Sequence, residues 1–141
     1  MHQHVLDGSG MKIPLFCLAS VLLLPYLLAT YGGYYRKKTL GVMDNHNPRA
    51  QAARLDAYGA RIYAAQQNAW EAATLFTASV LAALVTAVSP GNATIACVLF
   101  LAFRIVHPIA YLKGWSNVRS SVSTAGLVCC AWLLVSAVAA A

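Results

Sequence analysis

Long apolar runs, rather than alternation or amphipathic stripes, dominate this chain. From Ile13 to Tyr35 there is no charged residue. The run Ala69–Val88 holds a single acid, Glu71; Ala93–Leu112 holds Arg104 and His107; and Ser121–Ala140 is again uncharged. Each run is near the ~20 residues that a helix needs to cross a hydrocarbon core of ~30 Å. With their polar flanking turns, the spans are expected at about 13–35, 60–88, 93–112 and 119–140. A helix satisfies its own backbone in lipid, so the expected fold class is all-α, an integral membrane four-helix bundle over residues 11–141.

The joints follow from turn chemistry. Pro14 suits a first helical turn, whereas Pro25 should kink the first span. Gly32-Gly33 should loosen its end, and Tyr31, Tyr34 and Tyr35 mark a membrane interface. Asp44-Asn45-His46-Asn47 reads as a turn and not a metal site, with Asn47 as helix cap and Pro48 in the first helical position. A helix unbroken from 48 to 88 would be ~60 Å long, so it must project from the bilayer or break near Gly59. Ser89-Pro90-Gly91-Asn92 is a tight turn, and Asn92-Ala93-Thr94 has the form of a glycosylation sequon. Lys113-Gly114-Trp115-Ser116-Asn117 forms the third loop. Met1–Gly10 reads as a disordered leader or cloning remnant, because Met11-Lys12 resembles a natural start. The histidines in it, His2 and His4, are expected to bind no metal. The basic triplet after the first span makes that span a retained helix and not a cleaved signal.

Charge adds direction. The net charge is +6, yet only 10% of residues are charged, against roughly 25% in a soluble domain. Eight of the ten Lys and Arg residues flank two loops: Arg36, Lys37, Lys38, Arg49, Arg54 and Arg61 in one, Lys113 and Arg119 in the other. Basic residues beside spans signal membrane orientation, not nucleic acid. Positive-inside bias puts both basic loops in the cytoplasm and both termini outside, in what is expected to be a bacterial inner membrane. Cys17, Cys97, Cys129 and Cys130 all fall inside spans without metal-site spacing, and are expected to be small buried hydrophobes.

The candidate chemistry is intramembrane. An ionisable group there is costly and marks a functional site when a partner can be named. Ala64, Asn68, Glu71 and Leu75 share one helical face, flanked by Gln67. Arg104, His107 and Tyr111 share a face of the next span, and Arg119, Ser120 and Ser123 open the last. The topology brings all three groups to the cytoplasmic end. Glu71 is expected to pair with Arg104. The cluster is cationic on balance, so it suits a small polyanion and would stabilise a ligand thiolate. The apolar faces below would admit a lipophilic small-molecule substrate from membrane lipid.

At these residues the chain resembles a known family. Asn68-x-x-Glu71, then Arg104-Ile-Val-His107-Pro-Ile-Ala-Tyr111, then Arg119-Ser120, is similar to the MAPEG family, the membrane-associated proteins of eicosanoid and glutathione metabolism. The resemblance spans about residues 11–140. It implies a homotrimer with glutathione, as co-substrate, bound between subunits. It implies that Arg119 and Ser120 act catalytically on the thiol, that Asn68, Glu71, His107 and Tyr111 bind glutathione, and that Arg104 matches a buried arginine that can pair with the helix-2 glutamate; Gln67 and Arg104 are counted with the glutathione-binding residues. One of Arg36, Lys37 and Lys38 would match a helix-1 arginine. Two positions depart from catalytic members: Gln67 stands where an arginine is usual, and Ser123 where a prostaglandin-forming member has tyrosine.

Three functions compete. The first is a membrane-bound, glutathione-dependent transferase or peroxidase acting on lipophilic electrophiles or lipid hydroperoxides. The second is a non-catalytic lipid-binding or scaffold protein of the same fold, which Gln67 favours. The third is a small proton-coupled drug transporter using Glu71; nearby arginines that hold Glu71 ionised argue against it. Each bland alternative is also concrete: a structural Glu71–Arg104 pair, an interfacial anchor at Tyr111 and Trp115, a helix kink at His107-Pro108, and a helix cap at Ser120.

Overall fold

A computed structural model describes residues 10–141. The leader reading of residues 1–10, with His2 and His4, falls almost wholly outside them. Five helices follow in order: α1 (Lys12–Leu40), α2 (Pro48–Ala52), α3 (Ala57–Val85), α4 (Pro90–Lys113) and α5 (Ser116–Ala140). Four of them, α1, α3, α4 and α5, are long and apolar enough to cross a membrane. No strand occurs among the described residues. The all-α four-helix bundle expected from the apolar runs is therefore the architecture observed.

Helices α3 and α4 form the middle of the bundle, each packing against the other and against both α1 and α5. Phe76 of α3 and Phe100 of α4 stack face to face at 4.0 Å between ring centroids. Around them Cys17, Val21, Val80, Cys97, Cys129, Cys130 and Leu133 are buried in one cluster. The four cysteines thus pack as small apolar residues, as expected. Lipid tails are as apolar as these side chains, so the cluster is held by close packing more than by exclusion of water. Gly32 shows how close: a Cβ there would lie 3.3 Å from Ile62 Cγ2, so its absence brings α1 against α3.

Several boundaries differ from the expectation. Helix α1 runs through Gly32-Gly33 to Leu40 instead of ending there, because Gly32 is buried in the α1–α3 contact. Pro25 is also buried within α1. Asn92 lies inside α4, not in the preceding loop, so the sequon is part of a helix. Asn47 makes no cap hydrogen bond, although Pro48 does occupy the first turn of α2. Asp44 fixes that turn instead, its Oδ1 accepting from the backbone N–H of His46 (2.8 Å) and Asn47 (3.0 Å). Buried Gln51 closes it, donating to the Val42 carbonyl and accepting from the Asp44 N–H.

The break between α2 and α3 falls at residues 53–56, just before Gly59. Asp56 caps α3, its Oδ1 accepting from the Gly59 N–H at 2.8 Å while Tyr35 donates to the same carboxylate. Gly59 is needed here because a Cβ would sit 2.5 Å from Leu55 Cβ. The Gly59 N–H and the Tyr35 hydroxyl hold the Asp56 carboxyl below its usual range. A depressed carboxylate contributes stability above its unfolded pKa, and loses it as pH falls through the folded value. Asp56→Ala should lower the thermal midpoint at pH 7, and the deficit should shrink below about pH 4, measured by thermal unfolding in detergent at both pH values.

Candidate functional site

The polar residues gather in two tiers at the basic end of the bundle. The deeper tier surrounds a cavity of about 260 Å3 between α3, α4 and α5. Asn68, Glu71 and Arg104 line it, with Ser123 and Thr124 opposite. Its apolar walls are Ala72, Leu75, Phe100 and Leu127. Helical spacing puts Asn68, Glu71 and Leu75 on one side of α3, as the sequence implied. Arg104 lies nine residues before the end of α4, ~14 Å from the α4–α5 turn at 1.5 Å per residue. Glu71 is fourteen residues into α3, deeper than expected, because α3 begins at Ala57.

The expected Glu71–Arg104 pair is not formed. Arg104 Nη1 donates to Asn68 Oδ1 at 3.0 Å, and Glu71 Oε1 accepts from Gln67 Nε2 at 3.2 Å. The reason is depth of burial: Arg104 is 3% exposed, whereas Glu71 faces outward from the protomer with Gln67. Arg104 Nε and Nη2 are buried without a hydrogen-bond partner. The Phe100 ring lies 5.7 Å from the guanidinium carbon, within cation–π range.

The upper tier is a stack. Tyr111 meets His107 edge to face at 5.5 Å, and the Arg119 guanidinium lies 4.7 Å over the Tyr111 ring. His107 is buried, Tyr111 and Arg119 are partly exposed, and Ser120 is exposed. Ser120 is no helix cap, since α5 begins at Ser116 with Trp115 before it. These four residues do not line the cavity; Ser123 and Thr124, one turn further along α5, do. The candidate residues thus split, with Asn68, Glu71 and Arg104 around the cavity, His107, Tyr111, Arg119 and Ser120 above it, and Gln67 alongside Glu71.

The turn above the stack is pinned. Gly114 closes α4 at φ 72°, and Arg61 Nη1 reaches toward the Leu112 carbonyl at 3.5 Å. Lys113 lies 4.7 Å over the Trp115 ring.

A second concavity lies across α3. Thr30, Gly33, Tyr34, Arg36, Tyr63 and Gln66 line a groove between α1 and α3. Of Arg36, Lys37 and Lys38, only Arg36 is buried. Its Nη1 donates to the Pro48 carbonyl at 2.9 Å, and its Nε is buried without a partner. On α3, Gln66 lies on the opposite side from Asn68, whereas Tyr63 heads the i, i+4, i+8 row that continues through Gln67 and Glu71.

The fold and its polar tiers define an integral membrane four-helix protein with an intramembrane polar site. The MAPEG family model matches residues 13–139, and the chain belongs to the MAPEG family, whose members act in glutathione and eicosanoid metabolism. No curated protein and no solved structure matches the chain.

The stack gives its own test. Tyr111→Phe keeps the ring under Arg119, whereas Tyr111→Leu removes it. The leucine variant should be less stable than the phenylalanine variant by about 0.5–1 kcal/mol in chemical unfolding. Equal stability would mean that the Arg119–Tyr111 stack contributes nothing.

Proposed function

We propose that this protein is a membrane-bound, glutathione-dependent transferase or peroxidase acting on lipophilic electrophiles or lipid hydroperoxides. The observation that carries the reading is the composition of the α3–α5 cavity. Glu71, Asn68 and the hydroxyls of Ser123 and Thr124 meet apolar walls from Leu75, Phe100 and Leu127 in one space. A polar peptide thiol and a lipophilic co-substrate need that pairing of surfaces.

In this reading Glu71 holds the ligand ammonium, and Asn68 donates to one of its acceptors. Gln67 turns toward Glu71 and orients it. Arg119 and Ser120, one turn above Ser123, hold the sulfur as thiolate, since an adjacent cation favours the ionised thiol. Tyr111 and His107 keep Arg119 in place from below. The thiolate then attacks an electrophilic carbon, forming the carbon–sulfur bond as a leaving group departs with the displaced electron pair, or, in an addition, as that pair is protonated. With a hydroperoxide the thiolate would instead cleave the O–O bond, giving the alcohol and a sulfenic acid that a second glutathione converts to the disulfide and water.

The assembly we propose is a homotrimer. Gln67 and Glu71 face outward from the protomer at mid-helix, where lipid offers no partner. A second copy would cover them. The groove at Arg36, Tyr63 and Gln66 lies between α1 and α3 while the cavity lies between α3, α4 and α5, so a closed ring can set the groove of one copy beside the cavity of the next. Arg36 then supplies a cation to the ligand's second end. The eight basic loop residues support a cytoplasmic position for this end of the bundle, with both termini outside, in the bacterial inner membrane that we propose.

A second reading has one observation in its favour. Gln67 spends its amide on Glu71, and an uncharged residue there removes a clamp for a carboxylate. That favours a non-catalytic lipid-binding protein of the same fold.

Titration of the detergent-solubilised protein with glutathione separates the two, following heat and near-ultraviolet thiolate absorbance. Binding with a thiolate signal is expected, and silence at millimolar glutathione would leave the lipid-binding reading. Arg119→Ala should remove most of the thiolate signal while weakening binding less than about fivefold, the worth of one partly exposed ion pair. Equal loss of both would end its catalytic assignment. Cross-linking in bilayers should give trimers as the largest closed species.

A further inference from the structure

Arg104 makes one hydrogen bond, to Asn68 Oδ1. A guanidinium has five donors and no acceptor, so it donates to the oxygen edge of an amide and cannot pair with the nitrogen edge. The Asn68 orientation is therefore forced by chemistry. With its oxygen turned down onto Arg104, the Asn68 amide presents its two N–H donors to the cavity.

The rest of the Arg104 head is sealed. Nε and Nη2 have no accessible surface to offer a ligand, and the residue is 3% exposed. Phe100 covers one side of the guanidinium. A Cβ built at Gly126 would come within 3.9 Å of Nε and 3.5 Å of the Phe100 ring, so α5 closes over the head as well. Arg104 thus lines the cavity with its head buried and its Nη1 bonded to Asn68.

We infer that Arg104 is a positioning residue that acts through Asn68. It locks the Asn68 amide so that its donors face the ligand, and its charge polarises those N–H bonds. The group read at Asn68 is then an acceptor, a carboxylate or carbonyl oxygen, and a donor is rejected there. This inference rests on the peptide-thiol reading of the cavity. It differs from the pairing with Glu71 that the family resemblance implied for Arg104.

The arrangement also predicts an unusual stability effect. A buried charge with two unmade hydrogen bonds is a net cost to the fold, and well-packed apolar replacements of such groups are often neutral or stabilising. A residue kept for structure alone would behave in the opposite way.

Three variants test this in the full-length protein in detergent, with glutathione as the probe. Arg104→Gln, whose amide can turn either edge to Asn68, should weaken glutathione binding about tenfold, near the worth of one hydrogen bond to a charged group. Arg104→Lys, again a donor without an acceptor, should restore binding to within about threefold. Arg104→Met should weaken binding like Arg104→Gln without lowering the thermal midpoint. Combined with Asn68→Ala, Arg104→Met should cause no loss beyond that of Asn68→Ala alone. A further tenfold loss in the double variant would show direct ligand contact and overturn the inference. So would Lys behaving as badly as Gln. If the wild-type protein binds no glutathione, the peptide-thiol reading falls by itself. Arg104 is then judged on the melting of Arg104→Met, where a lowered midpoint overturns the positioning role and an unchanged or raised one supports it.

Discussion

A guanidinium sealed among the apolar helices α3, α4 and α5 is the constraint on which the rest of this structure turns. Arg104 is 3% exposed and holds one hydrogen-bond partner, Asn68 on the neighbouring helix. Removing a charge from water is expensive, and one hydrogen bond with an aromatic face does not offset it. The bundle tolerates that cost because the surrounding helices are over-determined by packing. The Phe76–Phe100 stack lies beside it, and Gly126 lets α5 close over it. Asn68 is thereby fixed in one orientation, and the cavity inherits its polarity from the charge below.

From that anchor the site rises in two tiers. The cavity floor is set by α3 and α4, and the stack of His107, Tyr111 and Arg119 links α4 to α5 one level above. The tiers are connected by the first turns of α5, where Arg119 and Ser120 precede Ser123 and Thr124 by about one turn. In the proposed reaction this spacing would give a thiol held at the upper tier and a lipophilic partner lying against Leu75 and Leu127 a shared meeting point. Glu71 stands apart from this logic. It is outward-facing and, among the described residues, hydrogen-bonded to Gln67 alone.

Much of this was legible in order, and little of it in pairing. The apolar runs marked four spans correctly, because length and charge exclusion are properties of consecutive residues. The face shared by Asn68, Glu71 and Leu75 was readable for the same reason, as helical periodicity is local. The Glu71–Arg104 pair was not, although opposite charge suggested it. Charge says which groups attract; it does not say which of two polar residues a turn apart, Asn68 or Glu71, points inward. The α1–α3 groove was missed because it joins residues far apart in sequence, such as Arg36 and Gln66. The helix break before Gly59 was anticipated in place but not in cause, since the cap at Asp56 also recruits Tyr35 from α1.

By itself, then, the sequence determined the class of molecule, the number of spans, the apolar role of the cysteines and the helix faces that bear polar groups. These follow from hydropathy and periodicity, which need no knowledge of neighbours. Only the tertiary structure decided that Arg104 lies under Asn68 and not against Glu71, that Arg119 rests on Tyr111, and that Arg36 alone of its basic triplet is buried. Each depends on the rotation and depth of one helix against another. Those are set by the close packing of small and aromatic residues such as Gly32, Gly126, Phe76 and Phe100, which no single helix specifies.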